Sequence, residues 1–141
     1  MIVYAESSAV LAWILGEARA GAVRKALKGA ERVVTSALTA TECGRAIARG
    51  RREGRLTGSE HLAALRLLDV AERNWDVYAL SDRVLARARE EFSGEPVRTL
   101  DALHLATAAL VKDGLGRVTM LSFDERIRAT AEKLGLDLMA G

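Results

Sequence analysis

The sequence predicts an α/β fold: a small sheet of parallel strands with helices packed on both faces. Three observations carry that expectation. Short apolar segments alternate with longer segments of helical period along the whole chain, the pattern of strands joined by crossover helices. The first segment, Ile2-Val3-Tyr4-Ala5, is apolar at every position, as a strand buried on both faces of a parallel sheet must be. Helical segments hold far more residues than the short strands, which keeps the central sheet small.

Strand one spans residues 2–5 and delivers a carboxylate, Glu6, at its end. A helix follows over 7–15, with Ser7 or Ser8 near its cap and Val10, Leu11, Ile14 and Leu15 at helical intervals. Gly16 breaks it, and a second short helix over 18–27 ends at Gly29. Residues 32–35 form a β-branched strand, and a helix runs from about Ala37 to Glu53, with Thr39 and Glu42 spaced as a capping box. Thr57 and Glu60 repeat that spacing and open a helix to about Arg73. A third strand occupies 76–80, and Ser81 caps a helix to about Phe92. After a loop marked by Gly94 and Pro96 comes a helix over 100–111, apolar nearly all round and therefore buried. A fourth strand covers 118–122, an amphipathic helix covers 124–134, and a short last strand covers 136–139.

Length and composition narrow the function classes. The 141 residues suit one domain, spanning 1–141. Half the residues are hydrophobic and only 4% aromatic, so the core is aliphatic. The charge of +2, from 21 basic and 19 acidic side chains, is too small to imply nucleic acid without a local cluster. One cysteine, Cys43, excludes an internal disulfide, and one Cys with two His is too few for an ordinary zinc site. A metal here would be held by oxygen, which favours magnesium or manganese. Ala9 to Leu15 is apolar but follows Glu6 and no basic side chain, unlike a signal peptide, and no stretch is long enough to span a membrane. A cytoplasmic location is expected.

Four acids fall near helix starts: Glu6, Glu42, Asp101 and Asp124. In a parallel α/β sheet, helix starts that follow strands share the edge where ligands bind. That rule gathers Glu6, Glu42 and Asp124; Asp101 has no strand directly before it. Each acid also has a purely structural explanation, because helix N-termini favour carboxylates and Glu42 can close a capping box on Thr39. Asp101 resists that explanation best, since a lone carboxylate on a buried helix is costly unless paired or metal-bound. Clustered carboxylates repel one another, and a divalent cation relieves this and supplies phosphodiester chemistry.

These segments resemble a known family. Glu6-Ser-Ser-Ala-Val, the helix start at Thr41-Glu42, Arg-Thr-Leu-Asp101-Ala-Leu-His-Leu-Ala-Thr-Ala and Leu-Ser-Phe-Asp124 are similar, in order and over nearly the whole chain, to the signature regions of PIN domains, and most of all to VapC toxins of toxin–antitoxin modules. The resemblance implies a five-stranded parallel sheet of order 3-2-1-4-5 between helices, and it brings Asp101 to the other acids. It implies a Mg2+- or Mn2+-dependent endoribonuclease. Glu6 and Asp101 are then the principal metal ligands, and Glu42 and Asp124 complete the acidic pocket, as second-metal ligands or through bound water, with Asp124 counted among the metal residues. It implies a homodimer and a VapB-type antitoxin as partners. The family's first acid is usually Asp, so Glu6 keeps the charge but adds a methylene. Three outcomes follow: the backbone compensates, the metal shifts, or the chain is a weak or inactive PIN-like module that binds RNA or protein.

Secondary features complete the reading. Arg45, Arg49 and Arg52 follow Glu42 along one side of a helix and, with Arg51 and Arg55, form the densest basic segment, a phosphate-contacting face or a solvated one. Arg45 and Arg49 are the candidate RNA contacts, Arg45 first because it is nearer Glu42. Ser8 and Ser122 either orient ligands and water or cap helices. His104, one turn after Asp101, is either a proton shuttle or a satisfied core histidine. His61 is expected to be exposed. Trp13, Trp75 and Cys43 are read as packing residues. A phosphoacceptor receiver domain would need an acidic pair after strand one and a lysine late in the sheet, and neither is present.

Overall fold

The computed structural model describes residues 1–140. Five strands, β1 (Ile2–Ala5), β2 (Arg32–Ser36), β3 (Asp76–Tyr78), β4 (Val118–Leu121) and β5 (Asp137–Leu138), form one sheet of order β3-β2-β1-β4-β5. Every neighbouring pair is parallel, with Val3 opposite Val33 on one side and Thr119 on the other. Seven helices join them among the described residues: α1 (Ser7–Ile14), α2 (Ala20–Gly29), α3 (Ala37–Arg52), α4 (Gly58–Asn74), α5 (Asp82–Ala88), α6 (Thr99–Leu115) and α7 (Glu125–Lys133). The sheet order and helical layers match the expected α/β architecture.

The core lies on both faces because β1 is apolar at every position. Successive strand residues point to opposite faces. Ile2 and Tyr4 therefore join Val34, Val118 and Met120 beneath Leu105, Ala106 and Ala108 of α6 and Ile127 of α7. Val3 and Ala5 face the other way, Ala5 with Val10, Cys43 and Ile47, Val3 with Ala9, Val23 and Leu121. Trp13 and Trp75 stack on each other, centroids 5.8 Å apart, and pack at the edge of this second layer. Cys43 is fully buried there, as expected.

Several local readings are corrected. The Thr39–Glu42 capping box does not form. Ser36 caps α3 by accepting from the Leu38 N–H, so Glu42 lies beyond the first turn, too far along to reach the cap. Thr39 pairs instead with Thr35 Oγ1 at 2.7 Å. The Thr57–Glu60 box does form in both directions. Helix α5 stops at Ala88, not Phe92; the Glu95 carboxylate accepts from the Phe92 and Val97 N–H groups and holds a loop there. Helix α6 runs through Gly114 to Leu115, since one interior glycine costs only about 1 kcal/mol, and ends at Gly116, whose φ of 93° a side chain would oppose. His61 is half-buried, with Nδ1 shielded and unpartnered.

Topology places the site. The chain runs outward from β1 to β2 and β3, then crosses to β4 on the other side of β1, so β1 and β4 flank the switch point at which open α/β sheets bind ligands. Because β4 is parallel to the others, the helix feeding it runs back from the carboxyl edge. The first turn of α6, with Asp101, therefore starts at the edge where β1, β2 and β4 end.

Candidate functional site

A cavity of about 450 Å³ opens at that edge. Glu6, Glu42, Asp101 and Asp124 all line it, with Ser7, Ser8, Arg49, Arg98 and His104. A larger hollow of about 660 Å³ flanks Trp13 and Trp75. Size does not select between them; convergent polar groups with perturbed ionisation do.

Each acid is held by a different local device. Glu6 leaves β1 while its N–H still pairs with Leu121 O at 3.0 Å, extending the sheet by one bond. Its side chain caps α1, accepting the Ser8 N–H at 2.6 Å. Glu6 itself, rather than Ser7 or Ser8, is thus the N-cap. Burial pushes its pKa above the ordinary glutamate value, against the opposing Ser8 N–H and the nearby His104. No Lys, Arg or His forms an ion pair with it among the described residues.

Glu42 projects from α3 into a buried polar network. Burial pushes its pKa up, but hydrogen bonds from His104 and Ser7 outweigh that and leave it lowered. Ser7 Oγ donates to Glu42 Oε1 at 2.6 Å, and His104 Nε2 lies 2.6 Å from the same oxygen. A carboxylate can only accept, so Nε2 carries a proton; on the neutral ring Nδ1 then accepts from the Tyr4 hydroxyl, 2.8 Å away. His104 is thus a satisfied core histidine that also anchors an acid of the cavity. Ser7 and Glu42 both meet Nε2, so the trio lacks the geometry of a Ser-His-acid hydrolase triad. Burial, then Glu6 and Glu42, push the Tyr4 hydroxyl well above its usual range. Burial first, then the same two acids, raise the Cys43 thiol to about 12, which makes it a poor nucleophile.

Asp101 is buried in the first turn of α6, and Asp124 caps α7 by accepting the Arg126 and Ile127 N–H groups on Oδ1. Arg98 reaches both: Nε is 3.2 Å from Asp101 Oδ2 and Nη2 is 3.7 Å from Asp124 Oδ2. Ser8 and Ser122 close the β1–β4 crevice. Their hydroxyls are 3.3 Å apart; Ser8 Oγ accepts the Phe123 N–H at 2.9 Å, and Ser122 Oγ accepts the Asp124 N–H at 3.0 Å. On α3, Ala46 and Arg49 line the cavity one and two turns beyond Glu42, while Arg45 is exposed outside the lining.

The structure brings all four sequence-singled acids to one cavity. Residue-level reasoning overlooked Arg98, Ser7 and Tyr4. Signals existed for two of them: Arg98 precedes Asp101 by the three-residue step that pairs charges on a helix, and Tyr4 is the one polar-tipped side chain in an apolar strand.

The donor set is carboxylate oxygen, which suits Mg2+ or Mn2+. The buried, cation-free Glu6 is also in the state a bound cation would relieve. Among the described residues, no three acid, His or Cys side chains converge tightly enough to form a ready-made metal shell. The cause is visible: Glu6 is drawn to its helix cap, Glu42 to Ser7 and His104, and Asp101 and Asp124 to Arg98.

A family profile described as the PIN domain matches residues 3–136. The chain is 35% identical over 138 residues to ribonuclease VapC46 of Mycobacterium tuberculosis, covering 98% of this chain and 96% of that one. It is 29% identical to ribonuclease VapC35 of the same species, covering 99% and 96%. Among solved structures it resembles PAE2754 of Pyrobaculum aerophilum, with a TM-score of 0.65, 23% identity and coverage of 98% and 83%. It also resembles M. tuberculosis VapC20, described as a sarcin-ricin loop cleaving toxin, with a TM-score of 0.63, 20% identity and coverage of 90% and 93%. A third is the FitAB complex bound to an IR36 DNA fragment, with a TM-score of 0.67, 17% identity and coverage of 99% and 94%. These structural likenesses support the fold; the profile and the VapC46 identity carry the family. The chain belongs to the PIN domain family, among its VapC-type members.

Proposed function

We propose that the chain is the ribonuclease toxin of a toxin–antitoxin pair and hydrolyses RNA phosphodiesters with Mg2+ or Mn2+ at the four-acid cavity. The observation that carries this is Glu6, Glu42, Asp101 and Asp124 lining one cavity at the sheet's switch point. Glu6, Asp101 and Asp124 would hold the ion. Such a cation neutralises phosphoryl charge and makes water a better nucleophile at neutral pH. Glu42, kept ionised by Ser7 and His104, would orient a water in the cavity by accepting its hydrogen bond. Ser8 and Ser122 hold the β1 and β4 ends together so that Glu6 and Asp124 keep their spacing. Arg49 on the cavity wall is the better placed of the two candidate arginines for a phosphate of the RNA.

A VapB-type antitoxin and a second copy of the chain are the proposed partners. Exposed apolar side chains such as Leu62, Val70 and Leu100 offer surface for such contacts. No helix among the described residues is long and apolar enough to cross a membrane, and a cytoplasmic site of action accords with an RNA substrate. The test is cleavage of RNA by purified protein. Activity should require Mg2+ or Mn2+, vanish with a chelator, and vanish in Asp101→Asn; cleavage without metal, or full activity in that variant, overturns the proposal.

A second reading has one specific observation behind it. The longer Glu6 side chain is used as the α1 cap, so a PIN-like module with weak or no activity, binding RNA or protein, is the alternative.

A further inference from the structure

We infer that Arg98 is a tethered counter-cation that competes with the divalent ion for Asp101 and Asp124 and so sets the metal concentration at which the site loads. The inference rests on the metal-dependent reading of the cavity.

The two carboxylates come from different elements, yet they share one cation. Arg98 Nε contacts Asp101 Oδ2 and Arg98 Nη2 contacts Asp124 Oδ2. Among the described residues no other Lys or Arg pairs with either acid. On Asp124 the division is clear: Oδ1 is committed to the α7 N-terminus, and Oδ2, the oxygen free to bind a metal, is the one Arg98 takes. The guanidinium is always charged, so only a competing cation or an anionic partner draws it away.

The tether permits that exchange. The Arg98 backbone is fixed: its carbonyl accepts the Ala102 N–H at 2.8 Å and its neighbour Val97 donates to Glu95 at 2.7 Å. Arg98 occupies the N-cap position of α6, but its side chain makes no capping bond. It is 65% exposed, so it can swing into water without moving the helix. The Arg98 end of both pairs lies in water, which keeps each pair weak although Asp101 is buried; the contact raises the threshold for metal and does not block the site.

The experiment is Mn2+ binding to the metal-stripped full chain, followed by the spectrum of free Mn2+ or by titration calorimetry. Arg98→Met should bind Mn2+ roughly three- to tenfold tighter than the wild type, the size two ion pairs with one end in water give. Arg98→Lys, which keeps the charge but loses the fork, should fall between them. Arg49→Met removes the same charge from the same cavity without touching either aspartate, and should change affinity much less. Without metal, Arg98→Met should melt below the wild type, because the two acids lose their shared cation. Unchanged or weaker Mn2+ binding in Arg98→Met overturns the inference, as does equal tightening in Arg49→Met; the metal site itself then stands. Absence of saturable Mn2+ binding in all of these proteins overturns the metal-dependent reading and this inference with it.

Discussion

Replacing His104 by Phe removes the link between the core and the acidic cavity while keeping an aromatic ring in a fully buried position. His104 is 1% exposed and holds Tyr4 on one side and Glu42 on the other. Tyr4 is fully buried and loses its His104 partner, and the Thr107 and Ser36 hydroxyls beside it replace that bond only in part, so the cost there is roughly 1–3 kcal/mol. The Glu42 side chain is 27% exposed and keeps Ser7, so water replaces part of the lost bond and the cost there is about 1 kcal/mol. The expected destabilisation is therefore about 2–4 kcal/mol by urea unfolding of the metal-free protein. Adding Tyr4→Phe removes that hydroxyl. The double variant should be more stable than the sum of the singles predicts, by about 1 kcal/mol or more. The pH dependence follows from the sign of the Glu42 shift. Its folded pKa is lowered, so its stabilisation is present above the ordinary value of 4.5 and is lost as pH falls through the folded value. His104→Phe should flatten that acid-side loss. Destabilisation below about 0.5 kcal/mol, or additivity within about 0.3–0.5 kcal/mol, would refute the network.

Other outcomes follow from the same geometry. Burial raises the folded pKa of Glu6, so its ionisation costs stability above that pKa and the cost disappears below the unfolded value. Glu6→Gln should then raise the Tm of the metal-free protein at pH 7, with the gain fading as pH falls toward 4.5; a lower Tm at pH 7 contradicts the assignment. Glu6→Asp separates the two functional readings by RNA-cleavage rate. A large rise means that the native site is compromised by the added methylene, and a fall means that the cavity is built around glutamate. Arg49→Ala should lower RNA affinity and reduce the slope of log affinity against log salt by about 0.7–0.9, whereas Arg45→Ala should leave that slope nearly unchanged, as measured by filter binding across a salt series. Thr57→Ala breaks the capping box far from the cavity and should cost about 0.5–2 kcal/mol in urea unfolding with no change in cleavage rate.

The strands and helices were legible because their signals are local. Ile2 to Ala5 reads as a buried strand from composition alone, and Thr57 with Glu60 announces a helix start within four residues. The errors lie where two local explanations compete. Thr39 and Glu42 have capping-box spacing, but Ser36 caps the helix earlier and frees Glu42 for the cavity. The acids were visible as helix-start residues, and parallel topology accounts for Asp101 as well, since a helix that feeds a parallel strand starts at the carboxyl edge. The partners of those acids were not visible. Tyr4 and His104 are a hundred residues apart, and Ser7 and Glu42 thirty-five; no spacing rule links them before the sheet is assembled. Arg98 was overlooked because its i,i+3 step to Asp101 looks like an ordinary helix-surface pair, and only the fold adds Asp124.

The most direct test of the central claim is the position of Mn2+ in crystals of the wild-type chain, read from its anomalous scattering. A Mn2+ peak is expected in the four-acid cavity, within coordination distance of Glu6, Asp101 and Asp124, with Arg98 turned away from both aspartates. Mn2+ bound only elsewhere, or a cavity still bridged by Arg98 at saturating Mn2+, would contradict it.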